Sequence, residues 1–370
     1  MKHSFIVFCL IFPFSNLNLF AQVNIERRIP SPALPFLTIA PDARSAGMGE
    51  AGVALSADAN ATFWNASKLP FAEGDFGASA SYTPWLRDLV DDQWIGYASV
   101  YKKIGEKQAI AGSVNYFKQS DYTPFRVGSS NSDIAVNGTY ARQLGKNFSM
   151  GITAKYIVSS VMSPMNGSAF PTQKGKVLAG DLSAYYRKQI INEQTGGDLT
   201  WSLGAVLSNF GGKINYGPGT SDQFIPTTLK IGGGLSFAAN SKNRFNFIVD
   251  AGKLMVPTPI SGINVNDKPL LKGIFGSFSD APDGFKEEMQ EIGFSVGAEY
   301  MYKSTFAFRG GYHGESKYKG DRKYFTAGAG VRVLKYYLVD IAYLIPAQSY
   351  SPLSKTYRVS LSAYFGKTRS

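Results

Sequence analysis

The residues able to do chemistry are few and scattered. One nucleophile pattern is present, Gly293-Phe294-Ser295-Val296-Gly297, which fits G-x-S-x-G. That pattern activates a serine only where a strand breaks sharply into a helix and lifts the hydroxyl clear of the sheet. Here Phe294, Val296 and Ala298 alternate with Ser295 and Gly297 as in an unbroken strand, so Ser295 reads as an ordinary inward residue. A serine nucleophile also wants a base beside it. His313 is the one histidine beyond the first few residues, and it reads as an exposed residue at a strand end. The single cysteine, Cys9, lies in an apolar leader. A metal site built on His or Cys clusters is thereby excluded, and no cofactor is expected. No G-x-G-x-x-G opens a helix, so a phosphate cradle is unsupported. Gly232-Gly233-Gly234 and Gly328-Ala329-Gly330 sit inside strands, as kinks or as places where other backbone packs closely.

Charged residues on inward strand faces are more informative. Asp181, Asp250, Glu299 and Asp340 can meet Lys155, Arg187, Lys230 and Arg309 across an interior. Two readings stand open. The charges balance a wet interior, each pair worth little, or they form a network that locks an internal segment in place.

The elements that would position these residues have a period of two from Gly74 onward. Phe148, Met150, Ile152, Ala154, Tyr156 and Val158 alternate with Ser149, Gly151, Thr153 and Lys155. Leu199, Trp201, Leu203, Ala205 and Leu207 form another apolar row, and so do Tyr337, Val339, Ile341, Tyr343 and Ile345. Tyr357, Val359, Leu361, Ala363 and Phe365 repeat the pattern. Such alternation puts one row in apolar surroundings and the other in a polar interior. About fourteen such segments occur, each near the ten residues of a tilted transmembrane strand. Their expected spans are 74–82, 92–102, 107–118, 131–143, 147–158, 176–189 and 198–209. The rest are 226–238, 243–252, 291–302, 304–313, 322–334, 336–346 and 355–366. Connections after even strands are short and those after odd strands long, with 190–197 a longer exception. Short periplasmic turns facing long outer loops mark an outer-membrane barrel, and a soluble sandwich has no reason for that asymmetry. Tyr and Phe near strand ends suit an interfacial girdle as well as plain β propensity.

Composition agrees. Of 370 residues only 18% are charged, against 14% aromatic with 26 Phe and 21 Tyr. A soluble enzyme would carry nearer a quarter charged residues, and the slightly negative mean hydropathy is too polar for a helical membrane protein. Residues 1–21 read as a secretory signal, with Lys2 and His3 before the apolar Phe5–Phe14 and a cleavage site before Gln22. Its loss removes Cys9 and lowers the formal charge of +11 by one. No basic run is interleaved with stacking aromatics, so nucleic acid is not expected. The positive balance reads as basic turns and lumen residues beside anionic lipid and lipopolysaccharide.

One stretch is neither strand nor long helix. Pro35–Pro70 carries glycines at 47, 49 and 52 between bracketing prolines, and precedes the whole train of strands. A barrel of this size leaves a lumen to be filled or left open. Ala43, Ala46, Gly47, Gly49, Ala51 and Gly52 suit tight packing there, and Asp42, Arg44, Asp58 and Asn60 suit polar walls. The expected organisation is all-β: signal 1–21, lead-in and lumen plug 22–73, antiparallel barrel 74–366, and tail 367–370.

Within this stretch, Pro41, Asp42, Ala43 and Arg44 lead to Gly47, Met48 and Gly49. Ser56, Ala57, Asp58, Ala59 and Asn60 follow, and then Phe63, Trp64 and Asn65. This run resembles the N-terminal signature of the PorV family, outer-membrane barrels of the type IX secretion system within the wider FadL-like group. Ala66-Ser67 departs from the Pro-Ala of that pattern. The resemblance implies a fourteen-strand barrel with an N-terminal hatch. It further implies docking to the SprA (Sov) translocon and receipt of cargo through a C-terminal signal domain. Delivery would then be to an attachment complex containing PorU, PorZ and PorQ. The candidate contacts are apolar residues of the outer loops: Trp85, Leu86, Phe125, Met162, Met165, Phe170, Leu270, Leu271, Ile274, Phe275 and Phe278. Exposed apolar loops mark a partner surface; the alternative is mutual packing into a cap. Two other functions stand beside the non-enzymatic carrier: a FadL-type transporter of apolar small molecules, and a lipid A deacylase, an activity attached to some relatives of the family. The second is disfavoured by the want of a base beside a nucleophile.

Overall fold

The computed structural model describes residues 28–366 apart from 91, 120–130, 163–171, 193–196 and 350. The expected signal and tail lie outside the described residues. Fourteen antiparallel strands hydrogen-bond in sequence order and close through β1 against β14. They are β1 Phe76–Pro84, β2 Trp94–Lys103, β3 Gln108–Lys118, β4 Ser132–Gln143 and β5 Phe148–Met162. Next come β6 Thr172–Asn192, β7 Gly197–Gly211, β8 Thr228–Asn240, β9 Asn243–Leu254 and β10 Ile292–Tyr302. The last are β11 Phe306–Gly314, β12 Lys323–Val333, β13 Tyr337–Pro346 and β14 Tyr357–Phe365. Closure leaves no unpaired sheet edge, which a strand protein in hydrocarbon requires.

The period of two sorts the faces as the sequence implies. Met150, Ile152 and Tyr156 are exposed while Ser149, Gly151 and Thr153 are buried. On β13, Val339, Ile341, Tyr343 and Ile345 face out and Asp340 and Ala342 face in. The expected long connection at 190–197 is corrected. β6 runs on to Asn192, which pairs with Gly197 at the start of β7. The turns after β10 and β12 are tight, with Lys303-Ser304 and Leu334-Lys335 all at positive φ. Each connection is three residues long, and the positive φ at its first two residues matches the right-handed twist of the flanking strands.

Ahead of β1 the chain lies inside the barrel. It holds 3-10 turns at Pro35–Thr38 and Ala66–Phe71 and two one-turn helices, α1 Ala43–Ala46 and α2 Ala61–Trp64. Residues 41–49 are all buried. At the long-loop end, Leu34, Phe36, Leu37 and Ile39 pack against Ile95, Phe117, Ile157 and Val177 of the wall. At the short-turn end, Ala59, Ala61, Leu69 and Ala72 pack on Tyr101, Ala109 and Ala141. In between, the internal backbone comes down directly on wall glycines. A Cβ at Gly311 would sit 2.2 Å from the Gly49 nitrogen, and one at Gly297 2.4 Å from the Met48 oxygen. Gly204 and Gly234 are similarly covered by Val53 and Ala54. The inward members of the in-strand glycines are therefore close-approach sites rather than kinks.

Gly311→Val is expected to leave the barrel intact and push the 47–49 turn off the wall. Trypsin would then cleave after the buried Arg44 in the reconstituted protein. Cleavage no faster than in the parent would mean that the wall yields and the close approach is not required.

Candidate functional site

The internal segment and the wall meet through charges that the sequence places far apart. Asp42 caps α1, accepting from the Ser45 N–H at 2.8 Å, and also accepts from Trp64 Nε1 at 2.6 Å. This joins the two short helices. Arg44 reaches from α1 to Asp58 at 3.0 Å and to Glu299 of β10 at 3.0 Å. Glu299 also accepts from Arg309 of β11 at 2.6 Å, and Arg309 reaches Asp340 of β13 at 2.6 Å. Asn246 Nδ2 donates to Glu299 at 2.8 Å. Five alternating charges thus run from the segment through β10 and β11 and, across β12, to β13. Of the two readings of the inward charges, the locking network describes this set. Lys155 and Asp181, paired at 2.9 Å, lie wholly within the wall.

Backbone groups of the segment are satisfied by the wall as well. Gly52 and Val53 N–H donate to Asp250 at 2.7 and 2.9 Å. Ala43 N–H donates to Ser360 and Gly49 N–H to Thr326, each at 2.8 Å. Ser202 donates to the Ala54 carbonyl at 2.8 Å, and Ser99 to the Ala59 carbonyl at 2.9 Å. Asn65 Nδ2 donates to the Val53 and Ala184 carbonyls, and Asn60 N–H donates to Asp58. Met48 packs with Ala51, Ala54 and Ile248, and Pro41 is buried beside Asp42. All ten signature residues (41, 42, 44, 47, 48, 49, 58, 60, 64 and 65) are thus gathered inside the barrel. Three participants were missing from that set. Lys68 donates to the Gly52 carbonyl at 2.6 Å, Glu50 pairs with Arg358 at 2.7 Å, and Lys230 stands 5.0 Å over the Trp64 ring. Lys68 and Glu50 lie in the stretch itself, but nothing in their spacing marks the partner.

The outer-loop candidates divide. Phe125, Met165 and Phe170 lie outside the described residues, as does the side chain of Met162. Trp85 is half-buried against the apolar cluster at the long-loop end, and Leu86 is half-buried. That corrects their reading as free surface. The β9–β10 connection is folded, with α3 Leu270–Gly276 and α4 Phe285–Gln290. Leu270 and Ile274 turn inward onto Phe224, Met255 and Val256. Leu271, Phe275 and Phe278 are exposed, and so are Phe285 and Met289, which sequence reasoning missed. Both readings of these loops therefore hold, each for one face of a helix. Leu270 and Ile274 are four apart, as are Leu271 and Phe275 and as are Phe285 and Met289, which is the helical signal that separates them.

Ionic contacts clamp this platform. Lys253 pairs with Glu288 at 3.0 Å and with Glu291, Lys319 pairs with Glu287 at 2.6 Å and Glu291 at 2.8 Å, and Arg28 reaches Glu287 at 3.1 Å. Burial works against ionisation of Glu287, but Lys319, the Asp283 N–H and Arg28 outweigh it and hold the carboxyl below its ordinary range.

His313 is also corrected. It is half-buried, stacks on Tyr324 with centroids 5.0 Å apart, and its Nδ1 lies 2.9 Å from Ser295 Oγ. Its Nε2 is 3.6 Å from Glu315. A base does stand beside the serine. Ser295 is nonetheless buried in mid-strand, paired with Asp250 and His313 of the neighbouring strands, with no strand-to-helix elbow to lift it.

A closed antiparallel barrel with apolar rows outward, short turns at one end and long loops at the other is an integral outer-membrane protein. Residues 22–261 match the family described as type IX secretion system protein PorV, and the chain belongs to that family. No curated protein matches it. Among solved structures the barrel is similar to the toluene transporter TodX of P. putida, at 10% identity and a TM-score of 0.49 over 87% of this chain and 98% of that one. The Ralstonia pickettii toluene transporter TbuX shows 11% identity and 0.47 over 88% and 98%. A Pseudomonas aeruginosa FadL homologue shows 13% and 0.43 over 91% and 99%.

Glu299→Gln removes the carboxylate that Arg44 and Arg309 share and leaves each guanidinium with one acid, Asp58 and Asp340, a loss toward the lower end of about 3–5 kcal/mol. The expected result is a lower urea midpoint for the vesicle-embedded chain; an unchanged midpoint would show that the network carries no net stability. Arg44→Ala or Trp64→Ala should raise the permeability of proteoliposomes to small polar solutes, and equal swelling rates would mean that neither residue seals the lumen.

Because the Glu287 carboxyl titrates below its ordinary range, its contribution is full at neutral pH and begins to fall once pH drops into the usual glutamate range. It disappears only as pH falls through the lowered value. A nitroxide at Met289→Cys should stay immobile to below that range and loosen in stronger acid, with Lys319→Gln moving the loosening to higher pH. Loosening of the parent at or above the ordinary range would exclude the clamp as what holds α4.

Proposed function

We propose that the chain is a non-enzymatic carrier of type IX secretion. It docks to the SprA (Sov) translocon, holds the C-terminal signal domain of cargo on its outer loops, and delivers the cargo to the attachment complex of PorU, PorZ and PorQ. The observation that carries this reading is the outer platform. Buried lysine–glutamate pairs fix α4, and Leu271, Phe275, Phe278, Phe285 and Met289 stand in solvent. Exposing five large apolar side chains on an ordered, ionically clamped support is costly without a partner to cover them. Membership of the family supplies the secretion system; the platform supplies a surface on which a partner can sit.

The rival reading is carriage of apolar small molecules through the lumen. It needs an apolar cavity along the way. The apolar space at the outer mouth is taken by Leu34, Phe36, Leu37 and Ile39 of the chain itself.

Deleting residues 268–284 should abolish retention of cargo while the barrel still inserts. Milder variants, Phe275→Ser and Phe285→Ser, should lower cargo co-purification without altering heat-modifiable mobility. Normal secretion by the deletion variant would sink the platform hypothesis. Recovery of bound fatty acid with neither translocon nor cargo would favour the transporter.

A further inference from the structure

The rim opposite the platform carries a different pattern. Six short turns connect β2–β3, β4–β5, β6–β7, β8–β9, β10–β11 and β12–β13. Each of them carries an exposed cation in the turn or on an adjoining strand: Lys102 and Lys107, Arg142 and Lys146, Lys188, Lys242, Lys303, and Lys335. Among the described residues none of these eight side chains takes part in an ion pair. The acids of the same rim are already engaged: Asp198 with Arg244 at 2.7 Å and Glu73 with Arg332 at 3.9 Å, while Asp75 and Glu106 also have partners. The long-loop rim is mixed: Lys253, Lys268, Lys319, Arg322 and Lys355 face carboxylates, while Lys174, Lys176, Lys272, Lys286 and Lys317 are exposed.

A second, independent feature accompanies the cations. Ile104, Leu144, Ile190, Ile191 and Leu334 are large aliphatics at these same turns, with between 48% and 78% of their surface exposed. Aromatic side chains stand just inside them on the outer wall, including Tyr302, Tyr336 and Phe365, and the Lys303 ammonium lies 5.2 Å over the Tyr302 ring. A cation beside an aliphatic beside an aromatic is the order of a headgroup, an upper acyl segment and an interfacial belt.

We propose that the short-turn rim is a collar for the phosphate headgroups of anionic phospholipids in the inner leaflet. The distribution decides between this and an acidic protein. A docked protein covers one sector of a rim, whereas these cations occur at every turn around the whole circumference, as a leaflet does. This collar lies on the side away from the proposed cargo surface.

The test uses the full chain reconstituted in equal mixtures of phosphatidylcholine and phosphatidylglycerol. Spin-labelled lipids report the relative association of the two headgroups with the protein boundary. Phosphatidylglycerol should be favoured about fivefold per engaged site, and less at high salt. In Lys107→Gln/Lys146→Gln/Lys242→Gln/Lys303→Gln/Lys335→Gln the preference should fall toward unity with heat-modifiable mobility retained. If that variant fails to fold, Lys107→Gln/Lys146→Gln and Lys242→Gln/Lys303→Gln/Lys335→Gln should each lose part of the preference. Equal association of both lipids with the parent overturns the collar, and so does a preference that survives the substitutions. Loss of a co-purifying acidic protein with lipid selectivity unchanged assigns the rim to that protein instead and equally overturns it.

Discussion

Arg44 holding Glu299 is the contact on which the interior depends. A barrel of fourteen strands encloses more space than its own side chains fill. The filling here is a chain with little regular structure, so most of its backbone donors and acceptors cannot satisfy one another. In a water-poor lumen each unmet group is costly. The wall therefore supplies the partners: carboxylates and hydroxyls for N–H groups, serines for carbonyls, and glycines where the backbone itself must touch. Arg44 ties this arrangement together, because it is bonded both to Asp58 in its own segment and to Glu299 in the wall. Glu299 in turn needs Arg309, and Arg309 needs Asp340. Removing one charge strands the next.

The strands were legible because lipid on one side and a polar interior on the other impose a strict period of two. β5 and β13 show it residue by residue, and the predicted spans differ from the observed ones mainly at their ends. β6 is the largest departure: strand pairing with β7 continued past Gln189 through residues whose polarity no longer alternates, since Lys188, Gln189, Ile190 and Ile191 are all exposed at the short-turn rim. The location of the 35–70 stretch followed from the volume a barrel leaves empty. Its partners did not follow, since positions 44, 58, 299, 309 and 340 are joined only by closure of the sheet. The Ser295–His313 bond was hidden for the same reason: it is a cross-strand pair set by register.

The outer loops were half legible. Their apolar content was plain, but which residues face solvent depends on helices too short to announce themselves by propensity. α3 has seven residues and α4 six. What fixes them is tertiary: Ile274 buried under Phe224 and Met255 for one, and Glu287, Glu288 and Glu291 seated on Lys253 and Lys319 for the other. Pairing every acid of α4 with a buried base leaves Phe285, Lys286 and Met289 on the side available to a partner.

These two arrangements bear on each other. A plug that opened would have to separate several buried charge pairs and peel backbone away from Gly297 and Gly311 at the same time. Each buried pair broken by loss of one partner costs a substantial part of a protein's net stability. No single ligand contact at the outer mouth reaches Glu299, which lies well below the apolar residues at 34–39. A carrier that held cargo on its outer loops would have no need of such an opening. For that function the barrel's task is to hold an outer surface at fixed height and orientation in the membrane. A rigid, filled cylinder does this better than a hollow one, and the charge lock is then part of the scaffold that presents Phe275 and Phe285.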